Sequence, residues 1–274
     1  MISHTQLEFI KNIKRKKNFI FYKKINKFAN DPVPYFMDTV DETKYSFLYE
    51  SVEKGKDKGR YTFCGYGALS IILNKKNNLY ITNSGKTKKI KKKKDILKQI
   101  NSIITKYKIS NKYNLPPMTS SFFGYLSYEN INNVEKIIKK RKLDKLQIPD
   151  CLLFIPETLI IYDNQKSTLY ITKTITKHLP QKKINYSNLI EKFEEIESNI
   201  KKRKNYEKIN LNKKTKILPK SNISKSKFIK NVNIAKQYIK NGDVFQVVPS
   251  HRFSAKFNST GKKLYQGLRI TNPS

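Results

Sequence analysis

The apolar residues of this chain come in strand-sized runs, such as Leu152–Ile155 and Leu159–Tyr162, and no window of about 18 consecutive apolar residues occurs. Such a chain cannot cross a membrane as a helix and must bury many short segments against one another. With 38% hydrophobic and 12% aromatic residues it has the material for a real core, which excludes a collagen, a disulfide-knit toxin and a pure linker. Its 274 residues allow one large domain or two ordinary ones. Near the start, Glu8 stands where a signal peptide needs basic residues, and no apolar stretch follows. Cys64 and Cys151 are too few for a disulfide framework and lack the C-x-x-C spacing. These features place the chain in the cytoplasm with reduced thiols and no membrane partner.

The charge is extreme: 57 Lys and Arg against 21 Asp and Glu, a formal net of +36. Nucleic-acid binding is the first reading of such a balance. Only Arg15, Arg60, Arg141, Arg203, Arg252 and Arg269 are arginine, however, and the lysines are spread among many Asn, Ile and Tyr, the residues of A/T-rich codons. Nucleic-acid readers favour arginine for bidentate contacts, so composition bias accounts for the charge better than a nucleic-acid partner does. The densest run, Lys86 to Lys94, reads as a solvated connection.

Periodicity predicts the elements. Thr5 to Lys16 fits a helix with Leu7, Phe9, Ile10 and Ile13 on one side. Strands are expected at Phe19–Ile25, Tyr45–Ser51, Arg60–Tyr66, Ala68–Leu73, Asn77–Thr82 and Phe122–Tyr128, forming an antiparallel meander. Ile96, Leu97, Ile100, Ile103, Ile104 and Tyr107 form the stripe of an amphipathic helix with Asp95 at its start. Thr158–Asp163 and Thr168–Thr172 pair as a hairpin across Asp163–Ser167. Asn188 to Lys204 reads as a polar helix leading into a Lys/Asn-rich linker. Beyond it, Ser224 or Ser226 caps a helix carrying Phe228, Val232, Ala235 and Ile239, with Gly242 past its end, then a strand over Val244–Phe253 and a helix over Leu264–Ile270. Three segments follow: a domain over 1–185, a helix and linker over 186–223, and the start of a second domain over 224–274.

Four blocks carry a resemblance. Phe228-x3-Val232-x2-Ala235-Lys236-x-Tyr238-Ile239-x2-Gly242-Asp243-Val244-Phe245-Gln246-Val247-Val248-Pro249-Ser250-x-Arg252-Phe253, with Leu264-Tyr265-x2-Leu268-Arg269-x2-Asn272-Pro273-Ser274, resembles the start of the chorismate-utilising enzyme domain. Within that superfamily it is most similar to the component I (large subunit) family of anthranilate synthases. Phe47-Leu48-Tyr49-Glu50-Ser51, Gly59-Arg60-Tyr61-Thr62-Phe63-Cys64-Gly65 and Phe123-Gly124-Tyr125-Leu126-Ser127-Tyr128-Glu129 resemble, in order, that family's upstream blocks. The fold implied is α+β, an antiparallel-sheet-rich β/α sandwich of the anthranilate synthase type, truncated. In that family the Asn-Pro-Ser element continues into Pro-Tyr-Met, and the chorismate and magnesium ligands lie further on. The chain therefore reads as the amino-terminal part of such an enzyme, inactive by itself.

The resemblance implies a reaction: ammonia from a glutamine amidotransferase subunit (component II) adds to chorismate, and anthranilate and pyruvate leave, with Mg²⁺ holding the substrate carboxylate. No acid of this chain falls in a matching magnesium motif, so no metal ligand is assigned. Gln246 occupies the position where water-adding relatives resemble one another in carrying a basic lysine. A neutral amide cannot take a proton from water but can hydrogen-bond a nucleophile, as an ammonia-using enzyme requires. Ser51, with Glu50 beside it, resembles the serine of the family's tryptophan feedback site, where a carboxylate can pair with an amino acid's ammonium. Tyr49 departs from the family's leucine there. Two alternatives remain: the aminodeoxychorismate synthase large subunit, whose strand reads Gln-Val-Asn-Leu where this chain has Gln246-Val247-Val248-Pro249, and a basic nucleic-acid-binding protein. Cys64 and Cys151 lack a histidine partner, and His4, His178 and His251 lack metal-ligand spacing, so packing or surface roles are expected of them.

Overall fold

The computed structural model describes the chain except for residues 40–44, 51–58, 76–77, 92–94, 110–113, 134, 136–146, 179–183, 203–217 and 273–274. The chain divides into two compact units, Met1–Tyr206 and Glu207–Asn272.

The first unit begins with helix α1, Gln6–Lys14, held at its start by a capping box. The Thr5 side chain accepts from the Glu8 N–H, and the Glu8 carboxylate accepts from the Thr5 N–H at 2.8 Å. Of the expected apolar stripe only Phe9 is buried, while Leu7 and Ile10 are exposed. One anchor suffices because Phe9 sits edge-on against both Phe19 and Phe21.

Two five-stranded antiparallel sheets form the framework. The strands in chain order are β1 (Phe19–Ile25), β2 (Ser46–Tyr49), β3 (Tyr61–Tyr66), β4 (Ser70–Lys75), β5 (Asn78–Asn83), β6 (Lys86–Ile90), β7 (Phe123–Leu126), β8 (Cys151–Ile155), β9 (Thr158–Asp163) and β10 (Thr168–Ile175). The first sheet has the order β1-β10-β9-β3-β2 and the second β6-β5-β4-β8-β7. The single meander expected from spacing is thus split. Between β3 and β4 the chain leaves one sheet for the other at Gly67, whose φ of +70° suits glycine.

Strand β1 shows why some segments read as continuous apolar runs. Ile20 and Tyr22 face a cluster with Phe63, Leu159, Ile161 and Tyr170, whereas Phe21 on the other face stacks on Phe193 at 5.6 Å. Phe193 belongs to α4 (Tyr186–Lys202), which buries Leu189, Phe193, Ile196 and Ile200. Each such side chain contributes about 1.5–3 kcal/mol on leaving water. Lys23 adds an ion pair to Glu197 at 2.8 Å. In the second sheet α3 (Ile96–Thr105) lays Ile96, Ile100 and Ile103 on Ile72, Leu79 and Ile155. The Asp95 side chain caps its start through the Lys98 N–H, as expected.

The run from Lys86 is not a connection: Lys86–Ile90 pairs with β5 across Ser84-Gly85, both at positive φ. This is the two-residue turn that matches strand twist, and its lysines discourage further strands from adding to the exposed edge. A short helix, α2 (Val33–Thr39), was also not expected from periodicity; the Asp31 carboxylate accepts from the Val33 N–H at its start.

The second unit contains α5 (Lys225–Lys240), capped by Ser224, and α6 (Gly261–Thr271), capped by Thr260. Two-residue strands β11 (Lys220–Ser221) and β12 (Phe253–Ser254) pair with each other. The strand expected over Val244–Phe253 does not form. A strand is defined by its hydrogen-bonded neighbour, and among the described residues no strand pairs with residues 244–252; the ladder begins only where the Asn222 N–H donates to the Arg252 carbonyl, next to Phe253.

Candidate functional site

Strand β2 is one edge strand of the first sheet and β7 one edge strand of the second, and the two meet through aromatic rings. Phe47 stacks on Phe123 with centroids 4.1 Å apart and planes at 18°, and also packs edge-on against Phe154. The Tyr49 hydroxyl donates to the Gly124 carbonyl at 3.4 Å. Two glycines make this approach possible. A Cβ on Gly65, opposite Phe47 in the ladder, would lie 2.2 Å from the Phe47 ring; one on Gly124, where φ is +146°, would lie 1.9 Å from the Leu152 carbonyl oxygen.

Glu50 follows Tyr49 at this seam and is half-buried. Tyr49 is 41% exposed at the seam, and Glu50 is its neighbour in sequence. Ser51 lies outside the described residues. Behind β2, Arg60 anchors the Gly-Arg-Tyr block: its Nη2 donates to Asp163 at 2.9 Å and its Nε at 3.2 Å. Asp163 also accepts from the backbone N–H groups of Gln165 and Lys166, so one carboxylate closes the β9–β10 turn and ties it to β3.

Gln246 belongs to the second unit and is exposed, outside any helix or strand, between Phe245, which is 96% exposed, and Val247. The sequence places an apolar strand here and the described residues leave its side chains uncovered.

Among the described residues no three His, Cys, Asp or Glu side chains converge to hold a metal. The described residues thus supply no such cluster, and no catalytic step is routed through a metal. His4 is a packing residue, its ring 5.1 Å from that of Phe19, and burial lowers its pKa below the usual histidine value. Cys64 and Cys151 are buried free thiols; burial first, and Asp150 second, push Cys151 up to about 12, which removes it as a nucleophile. Among the described residues no helix is long and apolar enough to cross a membrane.

One ionic cluster was not foreseen. Lys173, 11% exposed, lies 3.3 Å from Glu157, and Lys192 of α4 lies 3.8 Å from the same carboxylate oxygen. Burial pushes Glu157 up, but the two ammonium groups outweigh it and hold the carboxyl below its usual range; burial pulls Lys173 down despite Glu157. The available signal was the interruption of an apolar row: Leu169, Ile171 and Ile175 are fully buried on the face where Lys173 stands.

Residues 45–274 match the family of chorismate binding enzymes. The chain is 29% identical over 240 residues to anthranilate synthase component 1 of Acetivibrio thermocellus, covering 85% of this chain and 48% of that protein. To the Acinetobacter calcoaceticus protein of the same name it is 26% identical over 283 residues, covering all of this chain and 54% of the relative. The chain thus spans about half the length of the curated relatives it matches. The crystal structure of anthranilate synthase component I from Streptococcus pneumoniae superposes with a TM-score of 0.57 at 22% identity, over 81% of this chain and 49% of that one. The α+β fold expected from the sequence is the fold these chains share.

Proposed function

The chain belongs to the chorismate-binding enzyme family, and from that premise we propose that it is the amino-terminal part of an anthranilate synthase component I. The observation that carries this reading is Gln246 within Phe245-Gln246-Val247-Val248-Pro249-Ser250, inside the matched region. The overall reaction converts chorismate and ammonia into anthranilate, pyruvate and water: a C–N bond forms on the ring, the ring hydroxyl leaves, and the enolpyruvyl group is eliminated. Ammonia arrives as a nucleophile with its own lone pair, so the amide of Gln246 serves by hydrogen-bonding and no basic side chain is needed at that position. A glutamine amidotransferase subunit, component II, is the proposed ammonia source. Mg²⁺, when bound by residues outside those described here, supplies charge neutralisation at the substrate carboxylate.

Glu50 and Ser51 form part of a feedback site for L-tryptophan, with the Glu50 carboxylate taking the effector's ammonium. What supports this is the resemblance of the Tyr49-Glu50-Ser51 block, which follows a strand end tied down by the bond from the Tyr49 hydroxyl to the Gly124 carbonyl. These 274 residues alone are proposed not to turn over chorismate, since Gln246 stands in an open apolar segment and not in an enclosed pocket.

The experiment is genetic. The polypeptide that carries this sequence, at its natural length, is expressed in two bacterial strains, one requiring anthranilate or tryptophan and one requiring p-aminobenzoate. Growth of the first alone is expected. Rescue of the second alone would assign the chain to the aminodeoxychorismate synthases.

A further inference from the structure

The Glu157 cluster opens onto a cavity of about 290 Å³ within the first unit, between β10, the start of α4 and the segment before β4. Its charged wall is Lys173, Lys192 and Glu157; its apolar wall includes Leu69, Ile184 and Leu189. We propose that this cavity binds a small monocarboxylate, the carboxylate held between Lys173 and Lys192 and the short apolar body lying against Leu69, Ile184 and Leu189. The inference uses the first unit alone and is independent of the reaction proposed above.

Charge decides the class of ligand. Among the described residues Glu157 is the only carboxylate in ion-pair distance of either ammonium, so two positive groups share one negative group. Lys173 is nearly removed from water, where an uncompensated ammonium is costly, and one further negative charge makes the cluster neutral. A dianion would overshoot and stand against Glu157. Size and lining decide the rest. The volume of about 290 Å³ lies just below the ~300–1,000 Å³ of drug-sized ligand sites, too small for a nucleotide, and an aliphatic wall gives a hydrocarbon tail a reason to enter that chloride lacks. A purely structural lysine explains neither the second ammonium nor the space in front of it.

The probe is 4-methylpentanoate, titrated calorimetrically into the full chain at constant ionic strength, with 4-methylpentanamide as the uncharged control. Saturable binding of the acid and none of the amide is expected. Lys192→Gln, at a position 40% exposed and therefore tolerant, should weaken binding at least about tenfold. Glu157→Gln should tighten it several-fold, because the ligand then replaces the missing counter-charge. Equal binding of acid and amide, an unchanged affinity in Lys192→Gln, or weaker binding in Glu157→Gln would each overturn the proposal; the last two separate this cavity from non-specific attraction of anions to a chain of net charge +36.

Discussion

The ring of Phe47 lies on the ring of Phe123, 4.1 Å between centroids, and this stack joins an edge strand of one sheet, β2, to an edge strand of the other, β7. Phe123 is almost wholly buried and shares a cluster with Ile20, Phe63, Leu159 and Ile161. The position of Tyr49 and Glu50 depends on that stack, because β2 is held on one side by β3 and on the other by aromatic contact.

Phe123→Ala should lower the stability of the first unit by about 3–5 kcal/mol, read from the urea midpoint by near-ultraviolet circular dichroism. Phe123→Leu, which keeps most of the volume, should lose less than half as much. Equal effects would mean that ring stacking does not hold the seam.

Two glycines should respond very differently to alanine. Gly124→Ala drives a Cβ into the Leu152 carbonyl, which the β7–β8 ladder holds in place, and should cost about 2–4 kcal/mol. Gly85→Ala meets nothing within 4 Å and should cost only the left-handed backbone term, about 1–2 kcal/mol. Thermal denaturation of the two variants side by side measures the difference.

How much of this was legible in the sequence depended on whether an element carries its own signal. Helix α3 did, because Asp95 and six apolar residues at helical spacing specify both its start and its buried face. Strand β6 did not: Lys-Thr-Lys-Lys-Ile has no apolar alternation, and the run reads as a solvated connection although it pairs with β5. Residues 244–252 erred the other way, since apolar β-branched residues state a preference that only a neighbouring strand can realise. At the candidate site, the motif drew attention to Glu50 and Ser51, whereas the aromatic seam is a contact between residues 76 apart in sequence and left no local trace.

Acid should weaken the first unit through Asp163. Burial pushes this carboxyl up, but Arg60 and two backbone N–H groups hold it below the usual aspartate value. A carboxyl whose folded pKa lies below its unfolded one stabilises the fold above the unfolded pKa, near 4, and loses that contribution as pH falls through the folded value. Urea midpoints from pH 7 to pH 3 should therefore show Asp163→Asn less stable than the parent at neutral pH, with the two curves converging below about pH 4. A gap that stays constant across the range would remove Asp163 from the acid response.

If the proposed effector site holds L-tryptophan, Ser51→Arg in the natural-length polypeptide should raise the tryptophan concentration giving half-inhibition at least about tenfold, the loss of roughly 1.4 kcal/mol of binding. Inhibition curves for the parent and the variant decide this; superimposable curves would take Ser51 out of the pocket.

The most direct measurement follows anthranilate fluorescence and pyruvate release from chorismate in the natural-length polypeptide, with Mg²⁺, in the presence and absence of ammonium. An anthranilate synthase component I should form both products in equal amounts and only when ammonium is present. Conversion of chorismate without ammonium, or an aminated product that retains the enolpyruvyl group, would contradict the assignment and the role given to Gln246.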